Sequence, residues 1–259
     1  MTDPRFIDIS MPISARIVTD PEPLRPRINY SNHQQGVAQM LPYFPGLSQE
    51  DLPDGEAWAV EDVTLSTHSG SHMDAPWHYH STTAKGTRPA PTIDEAPLDL
   101  FLRPGVKLDF RHFAHGYVAT AADVAAELER IGHALQPYDI VLVNTSAAAA
   151  YGGPNYVESG CGMGREATLY LTGKGVQVVG TDAWSWDAPF SHTAQRYAES
   201  GDAAIIWEGH KAGREMPYYQ MEKLLNLESL PAHGFTVACF PVKIERASAG
   251  WVRAVAILS

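Results

Sequence analysis

The run DIVLVNT, residues 139–145, most constrains what this chain can fold into. Its apolar residues continue without alternation, which suits a strand covered on both faces. Such strands belong to parallel sheets with helices packed against them. VQVVG, residues 176–180, reads in the same way. Helical patterns stand before and between these strands. Thr120 opens TAADVAAELERIGHAL, and Asp123 follows three residues on, close to a capping box. Apolar residues then recur at helical spacing, which predicts a helix over 120–134. REATLYLTGKG, from residue 165, reads as a helix ended by glycine. Residues 60–67 and 106–110 alternate like strands, and 203–207, 235–240 and 251–258 read as further strands. The expected fold is α/β: a single domain spanning 1–259, with a mixed β-sheet flanked by helices. Residues 21–57 are rich in proline and polar side chains. They read as an ordered arm or lid, because Tyr43, Phe44 and Trp58 give that stretch something to bury.

Charge narrows the partners. The net charge is −11, and phosphate binding needs a basic surface, so nucleic acid is not expected. No apolar run reaches 18 residues, so no membrane span is expected. MTDPRFIDIS lacks the basic start and apolar stretch of a secretory signal. Cys161 and Cys239 make no CxxC pair or disulfide framework, which fits a reducing, cytoplasmic setting.

The chemistry concentrates in STHSGSHMDAPWHYH, residues 66–80. Four of the 11 histidines, His68, His72, His78 and His80, fall within it. His68, His72, Asp74 and His78 are separated by even offsets, so an extended strand would place them on one side. A straight strand fails on reach, since four extended residues span roughly 13 Å. The chain should therefore bend between His68 and His72, and Gly70 permits the bend. Pro76 then stiffens the approach to His78. Two imidazoles and one carboxylate form a three-ligand set for Zn, Mn, Fe or Co. His78 is left over as a proton acceptor. His80 reads as an ordinary surface residue.

The stretch from His68 to Tyr79 resembles the signature HxGTHxDxPxHF of the cyclase-type metal-dependent hydrolases. That family includes bacterial kynurenine formamidase, isatin hydrolase and one kind of dienelactone hydrolase. Ser71 replaces the usual threonine, and Tyr79 the usual phenylalanine. FIDISMPI and GVQVVGTDAW are similar to other strands of the family. The resemblance implies a swivelling β/β/α fold and a homodimer or homotetramer. It implies that His68, His72 and Asp74 bind a divalent metal, zinc or manganese first, with one or two ions open. It also implies that His78 is the catalytic base. Formamidases complete a second metal position with a further histidine and a glutamate. Glu208, in IIWEGH, stands in a matching context, whereas His192 lies too far from it in sequence. His210 resembles the start of an H-x-A-G-R-E stretch in other branches.

Several further residues qualify. Glu208 and His210, the further candidate metal ligands, follow an expected strand, where α/β proteins usually place their sites. Arg214 and Lys211 suit a substrate carboxylate, arginine by a bidentate contact. Trp58, Trp77, Trp184 and Trp186 could wall a pocket for a flat ring. Asp182 reads as a turn residue. Cys161, in a glycine-rich stretch before a helix, is a rival nucleophile. The expectation is an enzyme: a metal-dependent hydrolase of a small-molecule substrate, a cyclic or N-acyl amide or a lactone. A metal-stabilised binding protein for an aromatic acid and a Cys161-dependent hydrolase are the alternatives.

Overall fold

The computed structural model describes residues 3–258. Its main sheet has nine strands. They are β1 (Arg5–Asp8), β2 (His72–Asp74), β3 (Leu102–Asp109), β4 (Ile140–Asn144), β5 (Val178–Thr181), β6 (Tyr219–Glu222), β7 (His233–Ala238), β8 (Ala249–Trp251) and β9 (Val255–Leu258). Across the sheet the order is β1-β9-β7-β3-β4-β5-β6-β2-β8. The four central strands, β3 to β6, run parallel to one another, and every other pairing is antiparallel. The helices are α1 (His33–Met40), α2 (Pro76–Tyr79), α3 (Ala121–Ile131), α4 (Arg165–Gly173), α5 (Phe190–Ser200) and α6 (Glu208–Lys211). None of the described helices is long and apolar enough to cross a membrane.

A short connection curls the sheet. Only residues 252–254 separate β8, at one end of the order, from β9, next to the other end. The two ends must therefore approach each other. Ile9 N–H donates to Ala254 O at 3.0 Å, and Leu225 N–H donates to Ile9 O at 2.9 Å, sealing the approach. Alternation then sorts the side chains. Ile140, Leu142, Val178, Met73, Met221 and Val237 pack in the cluster inside the curl. Val141, Val143, Val179 and Leu108 face the other way, against Val124 and Leu128 of α3 and Ala167 and Leu171 of α4. Both faces of β4 are thus covered, as its unbroken apolar run requires.

Local signals hold at α3. Asp123 N–H donates to the Thr120 hydroxyl, and the Asp123 carboxylate accepts from Thr120 N–H at 2.8 Å. Gly132, at φ +67, ends the helix a little before residue 134. Around the arm, Arg27–Ser31 pairs with Val60–Thr64, and α1 follows; Tyr43, Phe44 and Trp58, expected to be buried, are exposed. The sequence 60–67 is therefore a strand of this side ribbon, shorter than expected, and not of the main sheet.

Two expectations are corrected. Residues 203–207 form no strand: Ala203–Ile205 is a 3-10 turn, capped by the Asp202 side chain on Ala204 N–H at 2.9 Å. Residues 251–258 are two strands, not one, because the chain crosses from one end of the curled sheet to the other. The structure adds α5 and β6, which the pattern did not suggest. Only Thr193 of α5 is buried, so it carries no broad apolar stripe.

Candidate active site

Strand β2 divides its own side chains. Met73 enters the core inside the curl, so His72 and Asp74 point to the helix-bearing face. In the antiparallel register Gln220 lies opposite Asp74, and Glu222 lies opposite His72. Directly opposed residues share a face with their β-carbons about 5 Å apart. The pairing alone therefore brings Glu222 to His72 from 150 residues away in sequence.

The flanking segments supply the rest. The chain bends at Gly70, whose φ is +64, and returns His68 towards His72 with ring centroids 5.0 Å apart. His72 Nδ1–H donates to Gly70 O at 2.9 Å, which leaves Nε2 as the free acceptor. Pro76 opens α2, and that turn stacks His78 4.1 Å from His68. Asp187, in the loop after β5, accepts from His210 Nδ1 at 2.5 Å and from the backbone N–H groups of Gly209 and His210. It thereby turns His210 Nε2 towards the cluster. Trp207, left-handed at φ +59, stacks on His210 with centroids 4.3 Å apart.

Asp74 is the centre. Its Oδ1 lies 2.9 Å from His68 Nδ1 and 3.2 Å from His72 Nε2, and its Oδ2 lies 3.8 Å from His210 Nε2. Glu222 comes within 3.6 Å of His72 Nε2 and 3.4 Å of His210 Nε2. The donor atoms form two groups that share Asp74: His68, Asp74 and His78, and His72, Asp74 and Glu222, each with its atoms within 4.8 Å of one another. His72 Nε2 and Asp74 Oδ1 are buried, yet neither has a hydrogen-bond partner. Leaving such an atom unsatisfied costs about 1–3 kcal/mol. A borderline divalent ion would satisfy both, and the nitrogen and carboxylate donors suit one. The residues present therefore fit a metal.

The electrostatics agree. Burial opposes charge on Asp74, but the neighbouring imidazoles of His78, His72, His210 and His68 outweigh it and hold its pKa well below the usual value. Burial also works against a charged His72, and Asp74 offsets that enough to raise it. For His210 the Asp187 hydrogen bond overcomes burial and raises the pKa well above normal. Burial wins at His78, pushing it down to about 4 against the pull of Asp74. A cavity of about 240 Å³ opens above the cluster, with Leu24, Trp184, Phe190 and Trp207 among its walls.

Residues 7–188 match the model of the family described as putative cyclase. The chain belongs to the putative cyclase family. Among its curated relatives, kynurenine formamidase of Paracidovorax citrulli is 27% identical over 234 residues, covering 83% of this chain and 89% of that protein. The Bordetella pertussis kynurenine formamidase is 26% identical over 229 residues, covering 85% and 93%. Isatin hydrolase A from Ralstonia solanacearum has the same fold, with a TM-score of 0.77 and 21% identity over 99% of this chain and 93% of that one.

Within this cyclase-family fold, the structure gathers His68, His72, Asp74, His78 and His210. It leaves other expected residues outside. Glu208 opens α6, and its carboxylate accepts from Arg165 N–H at 3.1 Å, at the start of α4. The carboxylate facing the histidines is that of Glu222 instead. Nothing in 218–222 (YYQME) marks its polar residues as site-facing, since an ordinary half-exposed strand alternates in the same way. Trp58 lies in the arm, edge-on to Tyr43 and donating to Gln39 Oε1 at 3.1 Å. Trp77 is 44% exposed and outside the cavity. The Arg214 guanidinium lies beside Gly86. Trp186 is buried and donates to Thr168 Oγ1, and the His192 ring packs on Gly116. His80 is exposed and accepts from Thr82 N–H at 3.0 Å. Asp182 sits in the bend after β5 and is also a buried acceptor: Asn144 and Thr145 donate to it, and burial pushes its pKa up to about 7.

Two variants separate these roles. Glu208→Ala should retain the metal of the wild type and lose about 1 kcal/mol of stability, the cost of an unsatisfied helix start. Elemental analysis and calorimetry check this; a parallel loss of metal would place Glu208 in the site. Cys161 is 3% exposed, and burial pushes its thiol up to about 12. A thiol so rarely ionised is a poor nucleophile. The native protein should resist iodoacetamide at pH 7.5, and Cys161→Ser should stay active. Rapid labelling that abolished activity would revive the cysteine reading.

Proposed function

We propose that this chain is a metal-dependent hydrolase that cleaves the C–N bond of a small cyclic or N-acyl amide bearing a flat ring. The observation that carries the reading is the buried, unpartnered pair His72 Nε2 and Asp74 Oδ1, set where His68, Glu222 and His210 also converge. Asp74 would hold the metal, zinc or manganese first, together with His68, His72 and Glu222. A divalent ion bound there supplies Lewis acidity towards a carbonyl and lowers the pKa of water.

The side chains supply the rest. His78 is neutral above about pH 4, so an imidazole nitrogen stands ready to accept the proton of the attacking water. The same nitrogen then returns it to the leaving amide nitrogen. Asp187 fixes the ring of His210 through Nδ1, and its Nε2 stands 2.7 Å from the Gln220 amide beside Asp74 and Glu222, so it helps to order the cluster. Leu24, Trp184, Phe190 and Trp207 hold a flat ring and exclude water. The relatives named kynurenine formamidase, which cover most of this chain, support amide over lactone.

The test strips the protein with a strong chelator, restores zinc or manganese separately, and assays aryl formamides, cyclic imides and aryl lactones. Amide hydrolysis that disappears on chelation and returns with one ion is the expected result. Turnover of lactones alone would replace the amide assignment. Tight binding of aromatic acids with no turnover would make the chain a binding protein.

A further inference from the structure

The cluster rests on a buried ion pair that plays no part in the chemistry above. Lys223 follows Glu222 directly, has a left-handed backbone at φ +59, and is 1% exposed. Lysine is almost never fully buried unless paired. Its Nζ donates to Asp20 Oδ1 and, at 2.7 Å, to the backbone carbonyl of His68. Its ammonium also lies 5.4 Å from the centre of the Trp184 ring.

Asp20 is equally enclosed and gathers donors from separate parts of the chain. Trp184 Nε1–H donates to it at 3.0 Å, and Gly70 N–H at 3.4 Å. The Thr19 hydroxyl donates at 3.3 Å. One ion pair thus grips the histidine loop twice, at the His68 carbonyl and at the amide of the bending Gly70. It grips the loop from β6, which carries Glu222, and from the N-terminal segment. Ser69 Oγ–H donates to Leu24 O at 2.6 Å, so the same loop also seats Leu24 in the cavity wall.

We propose that Asp20 and Lys223 are positioning residues that set the distance between His68 and the His72–Glu222 pair. The proposal rests on the metal reading of the site. A buried pair contributes little net stability, since desolvation of both charges offsets their attraction. Its effect here is geometric: His68 stands on a turn with no sheet pairing of its own, and the ammonium anchors that turn to β6. Orienting partners of this kind are worth about 10–100-fold in metal affinity.

The experiment uses the double variant Asp20→Asn/Lys223→Met. It removes both charges at similar volume and leaves no lone buried ion, so the fold should hold. Cobalt(II) is titrated into the metal-free protein against a competing chelator, and the visible spectrum of the bound ion is recorded. The expected result is a Kd raised about 10–100-fold and an altered spectrum, at a metal-free melting temperature close to wild type. A wild-type Kd and spectrum would overturn the proposal, as would an affinity loss that merely tracks a collapsed melting temperature. If the double variant does not fold, Asp20→Asn/Lys223→Leu, which also leaves no lone buried ion, is read in the same way. A wild-type protein that binds no cobalt would overturn the metal reading and this proposal together. Wild-type binding with an unaffected variant overturns this proposal alone.

Discussion

Asp74→Asn and His72→Ala should each fold and each lose the metal. The two side chains are 0% exposed and supply the two unpartnered buried atoms of the cluster. Asparagine keeps the shape of Asp74 but removes the charge shared by both ligand groups. Bound metal should fall below about a tenth of the wild-type content, and turnover should fall at least about 100-fold, beyond the loss of an orienting partner. His72→Ala should not be grossly destabilised when metal-free, because it removes one of the unsatisfied atoms, and Asp74→Asn keeps the side-chain volume and should still fold. Elemental analysis, calorimetry and amide hydrolysis check the three statements together. Normal metal content in either variant would remove that residue from the ligand set.

His78→Ala should show the opposite combination: metal kept, chemistry lost. His78 lies within reach of the same group as His68 and Asp74, so geometry alone allows it to be a ligand. Burial holds it neutral down to about pH 4, as either role requires, so the variant decides between them. Loss of a general base costs about 100- to 10,000-fold in rate. That loss should fall on kcat, with metal content unchanged. His78→Ala that loses metal in proportion to activity would make His78 a ligand and leave the proton transfer to another group.

The histidine loop was legible because its chemistry is local. Gly70 bends the chain, Pro76 starts the next turn, and the even spacing of His68, His72 and Asp74 fits one side of an extended segment. The structure has the bend at Gly70 and the turn at Pro76. The buried strands at 140–144 and 178–181 were legible for a similar reason, since continuous apolar runs have few other uses in a soluble fold. The 203–207 stretch misled because five residues of mixed apolar character do not distinguish a strand from a tight turn between helices. Glu208 was expected at the site from that strand end and from the formamidase resemblance, and the structure has it at the start of α6, accepting from Arg165 N–H.

Glu222, Gln220 and Asp187 were not legible at all. Each owes its place to a long-range pairing: β6 lies beside β2, and the loop after β5 folds under α6. Nothing near Glu222 in sequence distinguishes it from a surface carboxylate. What the sequence alone determined was the α/β class, the family and one half of the site, because short-range sterics and apolar continuity act between neighbours along the chain. What only the tertiary structure decided was which distant carboxylate completes the cluster and which buried pair holds it in place. Strand order and register are set by the packing of the whole curled sheet, and a shift of one residue in β6 would turn Glu222 to the other face.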